Sequence, residues 1–137
     1  MTAGALNDIE ALEPPSSPNW HFAGPQGLRE DIRGSTVPTY GLDAHTLRDS
    51  FRTIVLGKPR TLCLYSANSN DEADVYEQRT MLFGFKDIIQ VWNVQVNENP
   101  VSCSLVIFSR SVTGHYDFGV NRRRVRNWLS ELHRALA

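Results

Sequence analysis

Apolar residues recur with a helical period at the end of the chain. At about 100° per residue, Phe118, Asn121, Val125, Trp128, Leu129, Leu132 and Leu136 fall on one arc, with most of the arginines outside it. This predicts a closing helix that starts near Asp117 or Phe118 and is capped by Asp117, with Gly114 letting the chain turn after the preceding strand. The arc also places an amide on the buried face. A buried Asn left unpaired costs about 1–3 kcal/mol, so Asn121 is expected to bond something fixed, with the backbone of the His115 to Asp117 turn nearest to hand.

A second helical repeat begins at Asp43, a good N-cap. Leu47, Phe51, Ile54 and Val55 follow at i, i+4, i+7 and i+8, and Gly57 with Pro59 supplies the stop. Between the two helices the period falls to two. Arg60 to Ser66, Val75 to Phe83, Ile88 to Val96 and Ser102 to Ser111 read as strands, and the short polar links between them favour antiparallel hairpins. The predicted fold is α+β: a four-stranded antiparallel sheet with two helices packed on one face and an irregular N-terminal arm. In the third strand Trp92, Val94 and Val96 share one face while Ile89 and Val91 take the other. The helices cover one face, and the other needs the arm, a ligand or a second subunit.

Residues 1–41 hold five of the seven prolines and no sustained period, so they read as the arm, and residues 42–137 as one α+β domain. Ile9 and Leu12 fit a short helical turn. Trp20 and Phe22 lie on an extended segment that is expected to dock on the domain, with a binding role in trans as the competing expectation. A length of 137 residues with 41% hydrophobic content suits a single core, and a net charge of −1 argues against a surface built as a whole for nucleic acid. The excess is uneven: residues 105–137 hold six Arg against two acids. The N-terminus lacks a basic start and an apolar run, and no stretch has the ~20 apolar residues that span a bilayer, so a cytoplasmic protein without a transmembrane segment is expected. Cys63 and Cys103 lack metal-site spacing and are expected to be free thiols; no metal or cofactor is called for.

The segment SRSVTGHYDFGVNRRRVRNWL, from Ser109 to Leu129, resembles the signature of the domain-of-unknown-function family fourteen ninety-nine, found in bacteria and plant plastids. The resemblance extends in weaker form to PSSPNW (Pro15 to Trp20), the Leu47 to Val55 helix, PRT (Pro59 to Thr61) and FGFKDIIQV (Phe83 to Val91), with Lys86 standing where the family pattern has proline. It implies a domain of that family without an established activity.

Arg110, His115, Tyr116, Asp117, Asn121 and Arg122 converge on the strand-to-helix turn. Unpaired N–H groups at a helix start, helped by arginine, suit a small anion. Asp117 competes for the same donors, and if it caps the helix the motif is a structural staple. RRRVR (Arg122 to Arg126) is weak as a nucleic-acid patch, because only Arg122 and Arg126 share a face, while Arg124 sits beside Trp128, placed to stack on it or pair with an acid. Asp71, Glu72, Asp74 and Glu77 read as a solvated hairpin edge. Ser109 or Ser111 with His115 and Asp117 lacks the return path a triad needs, and no GxSxG, HExxH or phosphate loop is present. The expected function is therefore a non-catalytic binding module. It holds an apolar or amphipathic partner, a protein segment or small molecule, on the sheet face and arm marked by Trp92 and Trp20. The alternative is an anion-binding protein or enzyme using Arg110 to Arg122.

Overall fold

The computed structural model describes residues 8–113 and 117–137. Its strands are β1 (Trp20–Gly24), β2 (Gly34–Thr36), β3 (Thr61–Tyr65), β4 (Asp74–Arg79), β5 (Lys86–Glu98) and β6 (Val101–Ser111), and its two long helices are α1 (Ala44–Leu56) and α2 (Val120–Leu136). A helical turn at residues 8–10 precedes them. The four strands, both helices and the Asp43 cap expected from the periodicity are present, with Asp43 Oδ1 accepting from the Thr46 N–H at 2.8 Å.

The expected four-stranded antiparallel sheet is not what forms. The sheet has six strands in the order β2-β1-β6-β5-β4-β3, and the β1–β2 pair is parallel. Both additional strands come from the supposedly irregular arm. β1 lies antiparallel to β6, with Trp20 opposite Arg110 and Phe22 opposite Phe108, and so satisfies the donors and acceptors that a four-stranded sheet would leave open along β6. β2 approaches β1 so closely that a Cβ at Gly34 would lie 2.0 Å from the Phe22 carbonyl oxygen, which accounts for glycine there.

Both faces of the sheet are covered over the central strands, while Leu62 and Leu64 on the edge strand β3 stay about half exposed. Leu47, Phe51 and Val55 of α1 and Val125, Trp128 and Leu132 of α2 pack on Ile89, Val91, Leu105 and Ile107, with Phe51 and Trp128 edge to face at 6.3 Å. Opposite them, Trp92, Val94, Val106 and Phe108 are covered by Ile9, Leu12, Leu28 and Ile32 of the arm. Arg29 fastens this cover by donating to the carbonyls of Ile9, Glu10 and Leu12, and its own guanidinium is held by Asp31. Ile9→Ala should therefore destabilise the protein by about 2–4 kcal/mol. It should also red-shift tryptophan emission as Trp92 gains water; a weakened protein with an unshifted spectrum would mean that Ile9 does not shield this face.

Two expectations about polarity need correction. Phe118 is 76% exposed rather than on the buried arc, because α2 begins only at Val120 and Phe118 precedes its helical phase. Asp74 and Glu77 are buried, not solvated. Asp74 accepts from Arg52 at 2.7 Å and from the Ala67 N–H at 2.7 Å, next to a Tyr76 hydroxyl whose pKa burial pushes up.

Candidate functional site

The signature segment builds a buried polar cluster between α2, β5, β6 and the arm. Asn121, fully buried, divides its amide N–H bonds among the Asn19 carbonyl (3.1 Å), Ser111 Oγ (3.1 Å) and Asp117 Oδ2 (2.7 Å). Its Oδ1 accepts from Ser109 Oγ at 2.6 Å and from Arg124 at 2.8 Å. The expectation that Asn121 is buried and bonded to fixed backbone holds, but the backbone is that of Asn19, on the other side of the molecule in sequence. Asn19 returns the tie by donating its side-chain amide to the Thr113 carbonyl at 2.6 Å and accepting from the Ser111 N–H at 3.0 Å.

Arg124 completes the cluster. Its guanidinium donates to Gln78 Oε1 (2.6 Å), Ser109 Oγ (3.0 Å) and Asp87 Oδ2 (2.6 Å), and both partners of the Arg124–Asp87 ion pair are almost wholly out of water. The acid foreseen as a partner for Arg124 is thus Asp87, from the FGFKDIIQV segment. PSSPNW, FGFKDIIQV and the signature are three separate stretches that meet here. The second oxygen of Asp87, Oδ1, has no hydrogen-bond partner.

At the helix start, Asp117 accepts from the N–H groups of Gly119 (2.9 Å) and Asn121 (3.2 Å), from a position three residues ahead of the first helical residue. The N-cap is thus Gly119 rather than the expected Asp117, but the Asp117 carboxylate takes the Asn121 donor and its carbonyl the Val120 donor, so an anion would meet a like charge there. The other members of the predicted constellation are dispersed. Arg110 alternates to the arm-covered face opposite Trp20 and Ile88, away from Ser109 and Ser111. Arg122 is exposed on α2. It lies near His21, whose pKa is lowered by burial and then by the charges of Arg122 and Arg33. His115 and Tyr116 lie outside the described residues. Trp92 is 3% exposed beneath the arm, and Trp20 lies tilted against Phe108 at 5.8 Å while its Nε1 donates to the Pro15 carbonyl.

Sequence reasoning missed a cavity of about 290 Å³ at the end of the sheet, on the side of the helices. Met81, Leu82, Phe83 and Phe85 from the β4–β5 connection and Phe118 and Val120 from the start of α2 form its apolar walls; Asp87, Ser111, Thr113 and Asp117 supply its polar lining. The connection is an ordered loop closed by Thr80, whose backbone N–H donates to the Phe85 carbonyl and whose Oγ1 accepts from the Phe85 N–H. Phe83 and Phe85 stack at 5.3 Å, and Gly84 takes the left-handed turn, φ +64°, that the loop requires. Met-Leu-Phe-Gly-Phe, an apolar run interrupted by glycine, is the sequence signal of this loop; β4 ends at Arg79, short of the Phe83 expected from the alternation. Both cysteines are free and their thiols are pushed up by burial; among the described residues no group of three or more His, Cys, Asp or Glu could hold a metal ion.

The architecture is that of an α+β protein with one mixed sheet, covered by two helices and an arm and fastened by a buried polar staple beside an apolar end cavity. The chain belongs to the family described as proteins of unknown function, DUF1499, whose profile matches residues 37–132. That span takes in α1, β3 to β6 and α2 as far as Leu132, whereas β1 and β2 precede it. Neither the curated proteins nor the solved structures give a match. No helix among the described residues is long and apolar enough to cross a membrane.

Proposed function

We propose that the protein is a non-catalytic binding module that holds an apolar or amphipathic molecule in the cavity at the end of its sheet, rather than on the sheet face marked by Trp92. The observation that supports this reading is the cavity itself: aromatic and aliphatic walls converge on a few polar groups, the usual chemistry of a small-ligand pocket, at the small end of the size range. The Trp92 face is filled by the chain's own arm. Asp87 and Asp117 on the polar side disfavour an anionic head group, and the Ser111 and Thr113 side chains there favour a ligand with a hydroxyl or amide joined to a short hydrocarbon. Ser109, the nucleophile considered from the sequence, gives its hydroxyl to Asn121, so the polar cluster serves as scaffold.

Titration with the neutral apolar fluorophore N-phenyl-1-naphthylamine tests the reading. A saturable, single-site rise in fluorescence is expected, weakened about tenfold by Val120→Phe, which fills the cavity from its wall, with little change in melting temperature. A response that does not saturate, or that is indifferent to Val120→Phe, rejects it.

A further inference from the structure

We infer that the loop between β4 and β5, together with Phe118, docks the protein on the surface of a bilayer that contains anionic lipid. The inference goes beyond the cavity: it concerns what the outer rim of this end of the molecule meets, whatever the cavity holds. Met81, Leu82 and Phe83 are 82%, 79% and 67% exposed, and Phe118 is 76% exposed, an unusual concentration of large apolar side chains facing outward. They are held out by structure. Thr80 clasps the loop, and Phe118 sits at φ +54°, a left-handed conformation that a bulky residue rarely adopts.

The cations of this end are fastened to the same tips. Arg79 donates to the Gly84 carbonyl at 3.2 Å, and Arg123 donates to the Phe118 carbonyl at 2.7 Å; Lys86 follows the loop directly. The neighbouring acids are engaged inside the fold. Asp87 is paired with Arg124 and Asp117 accepts from the helix start, while Glu77, 3.5 Å from both Arg79 and Lys86, offsets one of their two charges and leaves Arg123 and one further charge in excess. Asp71, Glu72 and Asp74 stand at the opposite end of β4. What this end presents is a set of apolar points with positive charge at their bases. That pattern fits a peripheral contact in which the tips enter the acyl boundary while arginine and lysine meet lipid phosphates. A second copy of the chain fits less well, because a twofold contact through this face would set Arg79, Lys86 and Arg123 against their own equivalents.

Co-sedimentation with vesicles decides the matter. The full chain should sediment with phosphatidylcholine vesicles containing a quarter phosphatidylglycerol, bind pure phosphatidylcholine more weakly, and be released as salt rises. Leu82→Asp/Phe83→Asp should weaken binding by about tenfold or more, because both side chains are in water in the free protein and the change need not disturb the core. Leu62→Asp/Leu64→Asp, a half-exposed apolar pair on the edge strand β3 outside the loop, should leave binding unchanged. Equal loss in the two double variants overturns the proposal, as does sedimentation indifferent to anionic lipid. So does an absence of vesicle binding, which would point to a protein partner, or a dimer in solution dispersed by Leu82→Asp/Phe83→Asp, which would make a second copy the occupant. Val120→Phe should sediment like the unaltered protein while losing the fluorophore, so failure of the cavity reading and failure of docking are told apart.

Discussion

Arg124→Met should cost about 3–5 kcal/mol of stability, the usual result of removing one partner from a buried ion pair. For a chain of this length that is a fall of roughly 10–20 °C in melting temperature. The reason is local: with the guanidinium gone, the carboxylate of Asp87 stays buried with neither oxygen paired, and Gln78 and Ser109 lose a donor as well. Asp87→Leu alone should also destabilise, by stranding Arg124. The double replacement Arg124→Met/Asp87→Leu should recover much of the loss, since two apolar side chains need no partner and Asp87 Oδ1 is unpaired even in the intact protein. Urea denaturation of the four proteins gives the coupling energy. Strictly additive losses would show that the two charges act separately, against the geometry.

Asn121→Ala should have the next largest effect, about 3–4 kcal/mol, because one truncation leaves the Ser109 hydroxyl, the Asn19 carbonyl and one Asp117 oxygen each short of a bond. Its distinguishing mark is where the loss appears. Asn121 ties α2 to the residue just ahead of β1, so hydrogen exchange should quicken first along Trp20–Gly24 and then in the rest of the sheet. Equal acceleration in α1 and β1 would mean that the asparagine supports the core generally and does not anchor the arm.

The strongly periodic elements were legible from sequence because their signal is local. α1 and α2 each bury one face at a helical period, and β3 to β6 pair in sequence order across short connections, so their signals lie within short windows of the chain. β1 and β2 were not. Trp-His-Phe-Ala-Gly is five residues long and set among prolines, and its partner β6 lies about ninety positions later, so no nearby turn fixes its register. Gly-Ser-Thr has no buried side chain to announce it. At the site, Asn121 was legible because a polar residue on an apolar arc demands an explanation. The same reasoning extends to Arg124, three residues on, and to Asp87, which shares a strand face with Ile89 and Val91. Read together, those two misplaced charges announce each other. The end cavity was hidden because its walls come from a loop and a helix start, where periodicity has nothing to say.

The strand order has a consequence for synthesis. β6 is the last of the six strands to be made, yet it lies between β1 and β5. While the chain is being translated, the first two strands have no partner on the rest of the sheet, and the Trp92 side of the β5 hairpin has no stable platform beneath the arm. The arm must wait for nearly the whole chain before it can close. Such long-range closure makes folding slow relative to a hairpin array of the same size. It also makes completion of the fold close to all-or-none: a chain broken off before β6 begins at Val101 has an arm with no strand to pair with.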